Sequence, residues 1–352
     1  MPYSHHSHSG QFCKHASGTL EEVVLEAIQK GFEVYGLTEH IPRYRTVDLY
    51  PEEEGVALDN LVQQFDNFLV EAHRLKERYA ETITLLVGLE TEYITPADLD
   101  HLDALLERCS HQIEYIVGSV HHVNEIPIDF DLPTFRKALA SFPSDSGDGE
   151  QSILSNPEER RMEAFLCAYF DAQYQLLRRF YPELIGHIDL CRLYNPLLRF
   201  ADYPMAWEKL KRNITFAVGY GALFELNAAA LRKGWSAAYP AEDVVEVSGP
   251  LAYRRRQLLN FFFNPSGKVI KEAGGKFALS DDSHGPHAVG LNYARMAEYV
   301  RHVGINELWV LEGSPVKNEA GRSVQARKIE ERWWEHPFWN KPTQSCIENI
   351  SH

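Results

Sequence analysis

Apolar positions along this chain switch repeatedly between a helical and a strand-like spacing. Leu20, Val23, Val24, Ala27 and Ile28 recur at the helical period, and Gly31 follows where a helix would stop. Phe32 to Thr38 then reads as a short buried strand that ends in Glu39-His40. A longer helix follows, with Leu58, Leu61, Phe65, Phe68, Leu69, Ala72 and Leu75 on one face. Ile83 to Leu89 is the next strand and ends in Glu90. Pro96 suits the first turn of another helix, and Ile113 to Val120 runs as a strand into His121-His122. After a helix over about 158–181 come strands at Leu184 to Ile188, Ala222 to Leu226 and Lys276 to Leu279, with Glu307 to Leu311 expected as the last.

Repeated strand–helix units favour a parallel sheet, open or closed. The polar residues choose between the two. His40, Glu90, His121, His187 and Asp282 all fall at or near the C-terminal end of an expected strand. In a (β/α) barrel those ends converge on one face, whereas in an open sheet only a switch-point crevice is shared. A barrel of seven or eight units gathers them most easily. Residues 141–159, rich in Ser, Asp, Gly and Pro, read as a mobile insertion. The aromatic run Trp333-Trp334-Glu335-His336-Pro337-Phe338-Trp339 is expected to pack on the barrel's outside or bottom, or to form a dimer contact and so a homo-oligomer. The chain of 352 residues is thus expected to be one barrel domain (1–352) with that insertion and a C-terminal aromatic extension from about 332.

Composition narrows the function. A formal net charge of −15 disfavours a nucleic-acid surface, so no nucleic-acid partner is expected. No apolar run is long enough to span a bilayer, and no secretory signal opens the chain. Five scattered cysteines without a CxxC pair argue for a reducing, cytoplasmic setting. Cys13, between His8 and His15, reads as a buried neutral thiol or a neighbour of a metal.

The candidate chemistry lies in the histidines. In a strand, residues two apart point to one side, so His6-Ser7-His8 and Asp282-Ser283-His284 can each aim two ligands at one point. A tag remnant would explain the first motif but not the rest. Imidazole and carboxylate together suit transition metals. The ordered set His6, His8, His15, His40, Glu90, His121, His187, Asp282 and His284 resembles the PHP (polymerase and histidinol phosphatase) family of metal-dependent phosphoesterases. Phe12-Cys13-Lys14-His15, Thr38-Glu39-His40-Ile41-Pro42 and Glu225-Leu226-Asn227 through Arg232-Lys233 are similar to its histidinol-phosphatase branch.

That resemblance implies a distorted (β/α)7 TIM-like barrel holding three transition metals (Zn, Mn or Fe). One metal would take His6, His8, Glu90 and Asp282; a second would share Glu90 and add His121 and His187; the third would take His15, His40 and His284. It implies hydrolysis of a small-molecule phosphate ester, L-histidinol phosphate, in histidine biosynthesis. Metals would activate water and clamp the phosphate. Asp282 is the first candidate for the acid that protonates the leaving group. Arg192 and Arg232 are expected on the phosphate, with Arg43 as a third candidate, because guanidinium forks match phosphate oxygens. Glu39 is a candidate partner for the substrate imidazole. The alternatives are a phosphoesterase for another monoester or a nucleic-acid end, and an amidohydrolase, for which no bridging lysine is well placed.

Overall fold

The structure is a computed structural model, and it describes residues 2–143, 154–245, 270–329 and 332–340. Seven parallel strands lie side by side in chain order: β1 (Tyr3–Ser4), β2 (Val34–Leu37), β3 (Thr84–Glu90), β4 (Tyr115–Gly118), β5 (Leu184–Ile185), β6 (Leu223–Asn227) and β7 (Lys276–Ser280). The sheet curls until β7 meets β1. There Ser4 donates its hydroxyl to Asp281 at 2.8 Å, and the Asp281 amide donates back to Ser4 Oγ at 3.1 Å. Just beyond, Ser283–His284 pairs in parallel with Ser7–His8. The two ligand-like motifs of the sequence are therefore neighbouring strands at the seam of a nearly closed TIM-like barrel.

Local chemistry explains the helices that wrap it. In α1 (Leu20–Lys30), Thr19 and Glu22 form a capping box and Gly31 closes the end in the left-handed conformation. Its Leu20, Val23, Val24 and Ala27 are buried; each large apolar side chain removed from water adds roughly 1.5–3 kcal/mol. Helix α2 (Leu58–Arg78) buries Leu61, Phe65, Phe68, Leu69, Ala72 and Leu75, the face its spacing predicts. Helix α3 (Pro96–Cys109) starts on Pro96, and α4 (Leu132–Ala140) is capped by Asp131 through the Thr134 amide. Helices α5 (Pro157–Phe180), α6 (Pro204–Gly219) and α7 (Tyr293–His302) continue the outer layer among the described residues.

Two expectations about the architecture are revised, and a third is narrowed to one of its alternatives. The expected last strand occupies Trp309–Gly313 but pairs antiparallel with Val324–Lys328 in a separate hairpin, not in the barrel. The Leu311 amide ties that hairpin to the barrel by donating to His5 Nε2 at 2.9 Å. Most of the expected insertion lies outside the described residues, and its last part, Pro157 to Glu159, is the first turn of α5, capped by Asn156. The aromatic extension folds onto the chain itself. Phe338 meets Phe32 and Tyr293, and Trp339 stacks on Tyr293, beside the N-terminal ends of β1 and β2. It seals the end of the barrel opposite the strand tips that carry the histidines.

Candidate metal centre

Eight of the nine expected ligands sit just at or past the C-terminal end of a barrel strand. His6 and His8 follow β1, His40 follows β2, Glu90 ends β3, His121 follows β4, His187 follows β5, and Asp282 and His284 follow β7. His15 is brought in by the loop before α1. Glu90 is the centre of the assembly. Its Oε2 lies 3.1 Å from His6 Nε2, 3.3 Å from His8 Nε2 and 3.1 Å from His40 Nδ1. Its Oε1 lies 3.3 Å from His121 Nε2 and 3.1 Å from His187 Nε2. Asp282 Oδ1 is 3.8 Å from His6, 3.7 Å from His8 and 3.6 Å from His284. His15, His40 and His284 bring one nitrogen each within 4.8 Å of one another. All nine residues form one continuous cluster.

The nitrogens and oxygens of this cluster do not satisfy one another. His6 Nε2 and His8 Nε2 face each other at 3.0 Å, where only one of them can donate. His40 Nε2 and His187 Nδ1 are buried without a hydrogen-bond partner among the described residues, and His40 Nδ1 and His121 Nδ1 lie near carboxylate oxygens without the geometry of a hydrogen bond. Burial works against charge on His6, yet Glu90, Asp282 and Glu225 hold its imidazole well above the ordinary value. His8 is raised to about 9 by Glu39 and Glu90, again against burial. Glu90 is held well below the carboxylate range by His6, His40 and His121, although burial pushes the other way. A buried set of acceptor atoms this crowded, of mixed imidazole and carboxylate, fits cations placed among them.

The backs of the ligands are fixed by carboxylates whose roles the sequence did not reveal. Glu225 Oε1 accepts from His6 Nδ1 at 2.8 Å, while its Oε2 accepts from the His187 amide at 2.7 Å and from Asn227 Nδ2 at 3.0 Å. Glu39 stands behind His8 Nδ1 at 3.4 Å and accepts from the Ser9 amide and hydroxyl, both at 2.9 Å. It is 2% exposed and faces away from the cavity, so the expected contact with a substrate imidazole is corrected. Glu92, also unassigned from sequence, faces His40 Nδ1 at 3.0 Å and His121 Nδ1 at 3.4 Å. Glu225 and Glu39 are the kind of partner that sets the tautomer and direction of a ligating imidazole, while Glu92 adds a charge close to His40 and His121. The signal for them was present as alternation: Glu225 and Asn227 share one side of β6, and Glu90 and Glu92 are likewise two apart. Asp282 adopts a left-handed backbone at φ 47°, a conformation that Asp tolerates better than most residues.

A cavity of about 500 Å³ opens over the cluster, lined on its walls by Tyr50, Asp129, Phe130, Arg232, Lys233 and Tyr239. Of the three expected phosphate arginines, only Arg232 lines it. Arg232 donates to the Asp282 carbonyl at 3.1 Å, and its other terminal nitrogen lies 3.3 Å from His284 Nδ1. Arg192 is buried instead, 1% exposed, and donates to Asp189, to Asp243 and to the Leu198 carbonyl. Arg43 is committed to Glu53 and lies over the Tyr50 ring. Both are held by carboxylates in the protein interior, which corrects their placement on a phosphate. Cys13 is buried with Sγ 3.2 Å from His15 Nε2, and burial pushes its thiol up.

Comparison with known proteins agrees with this geometry. The PHP-domain profile matches residues 4–229. A Schizosaccharomyces pombe protein named "Probable histidinol-phosphatase" is 41% identical over 336 residues, covering 95% of this chain and 96% of that one. The Saccharomyces cerevisiae "Histidinol-phosphatase" is 30% identical over 330 residues, covering 85% and 88%. Among solved structures, histidinol phosphate phosphatase of Lactococcus lactis, complexed with zinc, L-histidinol and phosphate, superposes with a TM-score of 0.51 at 16% identity, covering 92% of this chain and 98% of its own. The barrel, the order of the strand-end residues and the extent of these matches lead to one assignment: the chain belongs to the PHP-domain family, on its histidinol-phosphatase branch.

Proposed function

We propose that this chain hydrolyses L-histidinol phosphate to L-histidinol and phosphate, using three transition-metal cations held at the strand tips. The observation that carries the reading is Glu90, a buried carboxylate with five imidazole nitrogens within 3.3 Å of its two oxygens. His6, His8, Glu90 and Asp282 would hold one cation. Glu90, His121 and His187 would hold the second, and His15, His40 and His284 the third. The zinc in the Lactococcus lactis structure supports zinc as one occupant; manganese and iron suit the same donors. When bound, such cations lower the pKa of water and clamp phosphate oxygens during in-line displacement.

The protein's own groups do the rest. Arg232 presents a guanidinium to the phosphate, anchored through the Asp282 carbonyl. Glu225 and Glu39 hold the proton on the far nitrogen of His6 and His8, so that Nε2 of each points inward. Asp282 is held well below the carboxylate range by His6, His284 and His8, against its burial, which keeps it an anion. That suits a ligand and leaves it no proton to give, so we do not assign it the acid role. The same reading takes the chain as a single barrel domain with a C-terminal aromatic seal.

The test is phosphate release from L-histidinol phosphate, with metal analysis of the same sample. Release is expected to vanish after chelation and to return with added Zn²⁺ or Mn²⁺. No release above the metal-stripped control would overturn the reading.

A further inference from the structure

The cavity is lined by two unlike sets of groups. One is the histidine cluster with Arg232 and Lys233, and the other is Asp129 with Tyr50, Phe130 and Tyr239, of which Tyr50 and Tyr239 border the cluster at His15 and His187. Asp129 is placed by a local feature of the chain. After His121 the backbone turns through a two-strand hairpin, His122–Val123 with Ile126–Pro127, whose turn residues Asn124 and Glu125 both have positive φ. The Ile128 amide then donates to the His121 carbonyl at 2.9 Å, and Tyr194 donates its hydroxyl to the Asp129 carbonyl at 3.4 Å. Asp129 is thereby fixed on the cavity wall close to the cluster.

Its carboxylate makes no ion pair and no side-chain hydrogen bond among the described residues. Other carboxylates around the same rings are engaged: Glu53 by Arg43, Asp48 by Arg45, Asp189 by Arg192. The charge of Asp129 is nevertheless felt by Tyr50, His122 and Tyr239. Tyr239 is 1% exposed, lines the same cavity, and has a hydroxyl without a hydrogen-bond partner among the described residues. The Tyr50 ring lies 6.2 Å from Phe130. An unpaired carboxylate with aromatic rings around it is the chemistry that recognises an organic cation.

We propose that Asp129 is a specificity residue that pairs with the primary ammonium of the substrate, making this a site for aminoalkyl phosphate monoesters. The proposal rests on the phosphatase reading above. It assigns the two charges of such a substrate to the two sets of lining groups. The phosphate goes to the cluster and Arg232. The ammonium goes to Asp129, with the Tyr239 hydroxyl as a further acceptor and the Tyr50 and Phe130 rings beside it. Glu52, exposed on the rim of the same cavity, is the competing carboxylate.

The experiment compares three substrates on the metal-loaded enzyme: L-histidinol phosphate, its des-amino analogue (which keeps the imidazole), and 4-nitrophenyl phosphate. Wild type is expected to favour the amine-bearing ester over the des-amino ester. Asp129→Asn should lower kcat/KM for L-histidinol phosphate by about 30- to 100-fold, as for loss of a charged hydrogen bond. The two amine-free substrates should change by less than about three-fold. Because the readout is a ratio within one preparation, partial unfolding of the variant cancels. Equal losses on all three substrates would overturn the proposal. So would a loss shared by the des-amino ester but not by 4-nitrophenyl phosphate, since the partner would then be the imidazole. A selective loss in Glu52→Gln with none in Asp129→Asn would also overturn it. Wild type that cleaves 4-nitrophenyl phosphate but not L-histidinol phosphate would instead overturn the substrate reading and this proposal with it.

Discussion

Two buried ionic clusters in this molecule have opposite logic. Around Arg192, the guanidinium is matched by Asp189 at 2.6 Å, by Asp243 at 2.8 Å and by the Leu198 carbonyl at 2.9 Å, and it lies over Phe200. Each of the three guanidinium nitrogens is matched there, and Asp189 Oδ1 alone in that cluster lacks a hydrogen-bond partner among the described residues. Around Glu90, five imidazoles crowd one carboxylate, two Nε2 atoms oppose each other at 3.0 Å, and several ring nitrogens have no partner. A cluster whose charges are matched, positive against negative, calls for no added cation. One that leaves buried acceptors unpaired carries a cost of about 1–3 kcal/mol for each, which bound cations would offset. Satisfaction, more than residue type or burial, separates a structural ion pair from a ligand site.

The strongest way to break this contrast is to change its centre. Glu90→Gln keeps the shape and removes the charge shared by both halves of the cluster. A loss of at least about 10²- to 10³-fold in kcat is expected, together with fewer metal ions per chain by elemental analysis. Full metal content with near-normal turnover would show that Glu90 is only a packed neighbour. The unloaded wild-type protein should also melt several degrees lower than the loaded one, because cations bind the folded state alone.

Arg192 and Arg232 test the contrast from the cationic side. Arg192→Met leaves the buried Asp189 without its main counter-charge, and a destabilisation of about 3–5 kcal/mol is expected by denaturant melting. Turnover per folded molecule should stay within about three-fold of wild type. Arg232→Met should do the reverse, with kcat/KM falling about 10- to 100-fold and the melting temperature hardly moving. If Arg192→Met instead raised KM without loss of stability, the guanidinium would be reaching substrate and its ion pairs would be secondary.

The same contrast explains what could be read from the sequence. The barrel was legible because strand and helix periods alternate, and because the strand ends carry His40, Glu90, His121, His187 and Asp282 in turn. The ligand set was legible because position at a strand tip determines where a side chain goes in this fold. Arg192 and Arg43 were misplaced for a physical reason: an arginine near a strand end can turn toward substrate or toward a carboxylate in the interior. Sequence does not say that Asp189 and Asp243, 54 residues apart, meet on one guanidinium, nor that Glu53 captures Arg43. Glu39, Glu92 and Glu225 were seen or passed over without their roles, because orienting a ligand from behind depends on contacts across strands. The Trp309–Gly313 strand kept its period, but which partner it chose was a matter of tertiary pairing.

The smallest effects are expected behind the ligands, and they sharpen the comparison by grading it. Glu225→Gln removes the charge that holds His6 Nδ1 at 2.8 Å while the buried Glu225 also accepts from the His187 amide. Glu39→Gln acts on His8 across a longer 3.4 Å contact. Metal affinity, measured by competition with a chromophoric chelator, should fall about 10- to 100-fold for the first, as for loss of a carboxylate behind a ligating histidine. The second should fall by about 10-fold or less, since its weaker contact contributes less to the direction of the ring. The order matters more than either value. Were Glu39→Gln the more damaging, the proton on His8 would be held more firmly than its contact distance implies, and the His6 half of the cluster would not be the better-supported one.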